Sequence, residues 1–263
     1  MYRFDYQKPT TLSQATGLIA SGAQALAGGQ TLLASMKQRL IQPESLVDLA
    51  GLPDMAGISE TNGSLRIGAM TRHAAVASSA SVRSKIPALA TLAGGIGDRQ
   101  VRAMGTIGGS VANNDPSACY PSALLALGAT VVTNQRSIAA EDFFQGMYAT
   151  ALEPGELITA VQFPMAQRSG YAKFKQPASR YAVVGVFVAQ TAAGVRVAVT
   201  GAANGVFRHA GLEAALTASF SAAALENVQI DASDLNSDLH ASAEYRAQLI
   251  RIQTQRAVEQ ALG

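Results

Sequence analysis

Between Arg102 and Pro121 the chain reads RAMGTIGGSVANNDPSACYP, and this stretch limits what the rest can become. Gly105, Gly108 and Gly109 stand close together, with hydroxyls at Thr106 and Ser110, followed by Asn113, Asn114 and Asp115. Without a Cβ, the backbone at such positions can come close to a ligand or another segment. Successive amides turned into one hollow form an anion site that needs no lysine. The apolar run Ser122–Leu127 predicts a helix that anchors the loop. A similar loop, LAGGQTLLASMK at Leu26–Lys37, lies far upstream. Together the two predict closure on one large, phosphate-bearing cofactor.

The upstream loop has its own local logic. Ala23–Ala27 is a short small-apolar run that predicts a strand, Gly28-Gly29 a turn, and Thr31 the start of a helix over Leu32–Leu40. That order points helix N-terminal amides at whatever lies over the turn, a favourable place for phosphate. It also describes a plain strand-to-helix connection with no ligand.

The remaining punctuation predicts an α+β chain. Leu12–Ile19 reads as a helix capped by Thr11 or Ser13, and Leu46–Leu49 and Leu65–Ala69 read as strands. Thr71 is placed to cap a helix from Arg72, with His73 near its start as a surface or capping residue. Ser81–Ala93 is an apolar helix interrupted by Pro87. Arg99 and Arg102 can meet phosphate, carboxylate or a neighbouring surface acid. Ala129–Thr133 and Ser137–Ala139 form a hairpin, and Leu157–Phe163 a strand. The segment PMAQRSG, Pro164–Gly170, marks a domain boundary. Beyond it come strands at Tyr171–Lys175, Val183–Thr191 and Val195–Thr200, then helices at Gly211–Phe220, Ser221–Asn227 and Ala241–Leu262. The last helix carries an apolar stripe of Tyr245, Leu249 and Ile252, opposite polar Arg246, Gln248, Arg251 and Gln255.

Composition excludes several classes of function. With a net charge of +2 and no run of like charges, nothing reads as a nucleic-acid arm or membrane-surface patch. No apolar segment approaches the ~18 residues of a membrane span, and MYRFDYQKPT lacks the apolar centre of a signal, so a cytoplasmic protein is expected. Only 14% of residues are charged, against about 25% in typical domains, which points to extensive contact with other subunits. A single cysteine, Cys119, leaves no internal disulfide and no CxxC metal or iron–sulfur site; its apolar setting reads as a buried structural thiol. There is no GxSxG, HExxH, GxGxxG or GxxxxGK[ST] segment. Phosphate-cradling loops without acid–base machinery suit a chain whose chemistry resides in a bound redox cofactor.

AGGQTLLASMKQRL (Ala27–Leu40) and TIGGSVANNDPSACYPSALLALGA (Thr106–Ala129) resemble the FAD-binding medium subunit of the molybdenum hydroxylases, the family of xanthine dehydrogenase and aerobic carbon monoxide dehydrogenase. The similarity extends through LEPGELITAVQFP and FKQPASRYAVVGV, over nearly the whole chain. It implies a two-part FAD-binding domain of the vanillyl-alcohol-oxidase (PCMH) type at residues 1–165, with subdomains of about 1–55 and 56–165, and a small α+β domain at 170–263. It also implies that Ala27, Gly28, Gly29, Gln30, Thr31 and Leu32 wrap the FAD diphosphate. Thr106, Ile107, Gly108, Gly109 and Ser110 then make the second cradle, with Ile107 against the flavin, and Asn113 and Asp115 join the cofactor-binding set. Ile158 matches an adenine-side contact, Lys175 a basic residue at the flavin's polar edge, and Tyr181 an aromatic covering one flavin face. Cys119 stands where many relatives carry an aspartate that contacts FAD hydroxyls, so Asp115, Asn114 or the main chain is expected to take over. The resemblance further implies partners: a large subunit with the molybdenum-pterin cofactor and a small subunit with [2Fe–2S] clusters, in a dimer of heterotrimers, with NAD or another electron acceptor. A stand-alone FAD oxidase and a cofactor-free scaffold are the competing expectations.

Overall fold

The computed structural model describes residues 1–263. Its first layer is a parallel sheet of β1 (Asp5–Gln7), β2 (Gln24–Leu26) and β3 (Ser45–Asp48), with β3 in the centre. Helices α1 (Leu12–Ala20) and α2 (Leu32–Lys37) provide the crossovers. Thr11 caps α1 by accepting from the Gln14 amide, as the sequence predicts.

The second sheet is antiparallel. It contains β4 (Ile58–Thr61), β5 (Ser64–Gly68), β6 (Thr130–Thr133) and β7 (Ser137–Ala139). After the small hairpin of β8 (Phe144–Gly146) and β9 (Ala149–Thr150) it receives β10 (Ile158–Pro164), which inserts between β5 and β6. Between β5 and β6 the chain runs through six short helices: α3 (His73–Ser78), α4 (Ala80–Lys85), α5 (Pro87–Gly94), α6 (Arg99–Met104), α7 (Ile107–Asn113) and α8 (Tyr120–Leu127). Pro87 starts α5 where its missing N–H is harmless. Helix α8 is buried at every residue, and α9 (Ala140–Phe143) follows β7.

A third sheet holds β11 (Arg168–Lys175), β12 (Ala182–Thr191), β13 (Gly194–Thr200) and β14 (Phe207–Arg208) in sequence order, all antiparallel. β10 and β11 lie in different sheets although only the residues between Pro164 and Arg168 separate them. The strands alternate cleanly. Tyr171, Phe187, Ala189 and Ala198 join the main core beneath α5 and α8. Val184, Val186, Val188, Val197 and Val199 form a second core with α10 (Ala210–Ala218) and α11 (Ala243–Leu262). At Gly170 an added Cβ would lie 1.7 Å from the Ala257 carbonyl oxygen, so α11 rests directly on the β11 backbone.

Three expectations need correction. Ser221–Asn227 forms only a single 3-10 turn, Ala223–Leu225, held by the Ser221 hydroxyl on the Ala224 amide. Thr71 does not cap a helix. Its hydroxyl exchanges hydrogen bonds with Gly57 across a loop, and Arg72 takes the cap position of α3. The face of α11 is also rotated from the predicted stripe: Tyr245 is 45% exposed, while Arg246 is buried and donates to the Val183 and Gly201 carbonyls at 2.7 and 2.8 Å and to Asp238 at 2.7 Å. Open strand-end carbonyls recruit that guanidinium into the core, which outweighs its hydrophilicity.

Glu156, at the turn before β10, is another buried charge. Its carboxylate accepts both Arg136 Nε and Nη2 at 3.0 Å, the Glu153 amide at 2.9 Å and the Thr133 hydroxyl at 2.7 Å. The Arg136 bonds are the main reason its pKa falls to about 2 from an ordinary 4.5; burial opposes them. A carboxyl held low in the folded chain stabilises it above the unfolded value, and that contribution is lost as pH falls through the folded value. Glu156→Gln is therefore expected to destabilise the chain at neutral pH by roughly 1–3 kcal/mol. Thermal melts should show its gap from wild type narrowing as pH drops from 4.5 to 2.

Candidate functional site

The two glycine loops meet. A Cβ at Gly28 would lie 2.3 Å from the Met104 carbonyl oxygen and 2.7 Å from the Gly105 Cα, so only glycine permits this backbone-to-backbone contact. Gly105 is pressed from behind by the His73 ring, Gly108 by Ala69, and Gly109 faces the Ala27 methyl. Each contact joins one loop to the other or to the scaffold beneath it.

The loops differ in what their amides do. Ile107 and Gly108 donate to the Thr71 and Ala69 carbonyls at 3.0 and 2.8 Å. Gly109 donates to the Thr106 hydroxyl at 3.2 Å and Ser110 to the Thr106 carbonyl at 3.1 Å. In the second loop these amides are thus engaged within the chain, and Thr106 is the N-cap of α7. In the first loop, by contrast, the N–H groups of Gly28, Gly29, Gln30, Thr31 and Leu32 find no acceptor in the protein. Gly29 sits at φ +69°, a left-handed conformation that favours glycine. Its carbonyl accepts from Leu33, and the Gln30 side chain folds back onto the Gly28 carbonyl at 3.1 Å. Gly28, Gly29 and Leu32 are half-buried, where backbone donors seldom go without a partner, and with the exposed Gln30 and Thr31 the run of five fits the oxygens of a diphosphate.

Other predicted residues gather beside this junction. Asp115 accepts from the Ser117 amide at 2.8 Å and from the Tyr148 hydroxyl at 3.3 Å. Tyr181 shares a cavity of about 340 Å³ with Asp115 and Tyr148. Burial raises the Tyr181 phenol pKa, the Asp115 charge adds to that, and the nearby Thr31 hydroxyl opposes it. Tyr181 therefore stands close to both Thr31 of the first loop and Asp115 beyond the second. Asn113 ends α7 half-buried. Ile158 is 5% exposed at the start of β10, the strand on which α7 packs. Lys175 is exposed at the end of β11, after a register shift between Phe174 and Lys175, and lines a different cavity from Tyr181.

Asn114 is anchored through its side-chain amide nitrogen. It caps α7 in a left-handed conformation, and its amide nitrogen donates to the Gly146 and Ala149 carbonyls at 2.7 Å each. Cys119 is buried, and its sulfur accepts from the Lys173 ammonium at 3.4 Å. Sequence reasoning passed over Lys173; the signal was its place two residues from Lys175 on one strand face. His73 also departs from expectation. It is buried against Tyr120, with ring centroids 5.4 Å apart, and burial is the main reason its pKa falls to about 4. Neither Arg99 nor Arg102 pairs with an acid; Arg102 instead donates to the Ile96 and Gly97 carbonyls at 3.0 and 2.9 Å.

Residues 2–166 match the family described as the FAD binding domain in molybdopterin dehydrogenase. The chain belongs to that family. It is 35% identical to the carbon monoxide dehydrogenase medium chain of Afipia carboxidovorans, over 98% of this chain and 96% of that one. It is 33% identical to the nicotine 6-hydroxylase medium subunit of Paenarthrobacter nicotinovorans, over 97% and 96%. The fold superposes on reconstituted CO dehydrogenase from Oligotropha carboxidovorans with a TM-score of 0.91 and 33% identity, covering 99% of this chain and 98% of the other. The protein is accordingly an FAD-binding medium subunit of the molybdenum hydroxylases, an oxidoreductase component. No helix is long and apolar enough to cross a membrane.

Glycine's role at the junction is open to direct test. Gly28→Ala forces a backbone clash and should lower stability by about 1–3 kcal/mol together with flavin content. Gly17→Ala, within α1 and with open space around its Cβ, should leave flavin content unchanged and gain up to ~1 kcal/mol. Thermal melts and flavin absorbance of the two purified variants read both effects.

Proposed function

We propose that this chain is the electron-transfer subunit of a heterotrimeric molybdenum hydroxylase, accepting electrons from a [2Fe–2S] partner and delivering them to NAD or another acceptor. The observation that carries the reading is the run of five unpartnered amides, Gly28–Leu32, backed directly against the second glycine loop. FAD, when bound, supplies a two-electron store that can exchange with a one-electron cluster and a two-electron acceptor.

The protein's own residues divide the work of holding it. Gly28, Gly29, Gln30, Thr31 and Leu32 donate to the diphosphate, with Ala27 supporting the turn. Thr106, Ile107, Gly108, Gly109 and Ser110 provide a close, rigid wall, because their amides are already committed to the scaffold. Asp115 and Asn113 offer acceptors to cofactor hydroxyls, and Asp115 takes the part that aspartate plays where this chain has Cys119. Ile158 serves the adenine side, Tyr181 shields one face of the ring, and Lys175 stands at its polar edge. A cation there stabilises negative charge that develops on reduction.

The chain's low charge content supports extended contact with other subunits. We assign the molybdenum-pterin cofactor to a large partner and the [2Fe–2S] clusters to a small one, paired as a dimer of heterotrimers. Both faces of the third sheet are filled by packing, which leaves little room for the substrate domain of a stand-alone FAD oxidase.

The visible spectrum of the purified chain, followed by acid release of the chromophore, tests the reading. Flavin bands and intact FAD are expected; a chain that stays colourless with FAD and its partner subunits supplied would overturn it. Lys175→Ala should leave assembly intact and make the flavin potential more negative by roughly 20–60 mV, equivalent to about 1–3 kcal/mol for two electrons. Spectroelectrochemical titration measures this. An unchanged potential removes Lys175 from the flavin edge.

A further inference from the structure

A cleft of about 620 Å³ opens where the end of α5, the turn that follows it, Arg102 of α6, β11 and the second half of α11 come together. Arg102, Lys173, Lys175, Arg180 and Arg256 line it, and no carboxylate does. None of these five cations forms an ion pair, whereas Arg136, Arg196, Arg208 and Arg246 each hold an acid. The turn Gly94–Gly97 fixes three of them. Lys173 donates to the Gly95 carbonyl at 2.8 Å, Arg102 to the Gly97 carbonyl at 2.9 Å and Arg180 to the same oxygen at 3.2 Å. Neutral carbonyls orient these side chains without cancelling their charge. Most of the guanidinium N–H groups remain free for another acceptor.

A second, independent feature points the same way. Gln253 lines the cleft from α11, is 1% exposed, and its Nε2 has no hydrogen-bond partner. A buried donor without an acceptor costs about 1–3 kcal/mol. Its place in the lining makes it a donor for whatever enters. Unpaired cations gathered in one concavity raise each other's energy, and an anion relieves all of them at once.

We propose that this cleft binds a small polyanion of the phosphate-ester class, a diphosphate group such as a nucleoside diphosphate carries, separate from FAD. The volume lies within the ~300–1,000 Å³ of small-molecule sites, and the cationic lining is wrong for an apolar ligand. Five cations exceed what one carboxylate of a partner protein neutralises, and Gln253 lies too deep for a flat protein surface to reach. The proposal rests on the assignment of the FAD diphosphate to Gly28–Leu32 and of Lys175 to the flavin edge, which leaves Arg102, Lys173, Arg180 and Arg256 unclaimed. Lys175 stands where the cleft and the proposed flavin edge adjoin.

The test uses FAD-loaded protein titrated calorimetrically with inorganic pyrophosphate and with ADP. Both should bind, more weakly as salt is raised. Arg256→Glu should weaken binding at least about tenfold with flavin content unchanged. Gln253→Leu, close in size, should weaken binding while the melting curve stays near wild type. Pyrophosphate binding to the FAD-free chain but not to the loaded one would show that the cleft belongs to the flavin, overturning the inference while leaving the flavin reading intact. Absence of binding in both forms overturns it too. Loss of partner-subunit assembly in Arg256→Glu, without any anion binding in wild type, would assign the cleft to a protein interface instead. A chain that takes up no FAD refutes the flavin reading, and the same titrations then report on the cleft alone.

Discussion

Everything at this site depends on Gly28 lying directly against the Met104 carbonyl and Gly105. A side chain of any size there separates the parallel sheet from the helical segment that carries the second loop. The contact is backbone on backbone, so it leaves little freedom of position, and it is reinforced from below. His73 supports Gly105, Ala69 supports Gly108, and the Ile107 and Gly108 amides are bonded to the 69–71 segment. The second loop is thus rigid because its hydrogen bonds are satisfied internally. The first loop keeps its donors open because its neighbour leaves them no acceptors.

The third sheet completes the arrangement rather than merely following it. Gly201 donates to the Pro116 carbonyl at 2.8 Å, and Arg208 and Arg196 reach Glu141 at 2.6 and 3.4 Å. Lys173 and Arg180 bind carbonyls of the turn before α6. These bonds hold β11 and the following turn against the helical segment, which is how Tyr181 comes to share a cavity with Asp115. The same arrangement segregates charge. Asp115 and the tyrosines lie on one side, and the unpaired cations around the Gly94–Gly97 turn lie on the other. A flavin seated on the loops would lie within the influence of both.

Much of the fold was legible because it rests on local rules. Thr11 caps its helix, Pro87 divides an apolar helical run, Ser122–Leu127 is helical, and the strand runs near 46, 65, 131, 158, 171, 186 and 197 fall where the sequence placed them. What the sequence misplaced depended on distant partners. Thr71 looked like a cap until Gly57 came within reach, and His73 looked exposed until Tyr120 covered it. Arg246 looked like a solvent residue until the strand ends offered it carbonyls. For Ser221–Asn227, serine and alanine content satisfied helix propensity, yet the segment is anchored on α10 and α11 through Leu225 as a single 3-10 turn.

By itself the sequence determined the two glycine loops, the α+β succession of elements and, through the resemblance of both loops and the downstream segments, the family. Those features reside in covalent structure and near-neighbour geometry, where a missing Cβ or a cap hydroxyl acts over a few residues. Only the tertiary structure decided which amides stay free, that Asn114 is bound elsewhere, and that Lys173, Arg102, Arg180 and Arg256 converge. Those outcomes depend on which carbonyls arrive opposite a given donor. That is set by contacts between residues far apart in the chain, which no local pattern records.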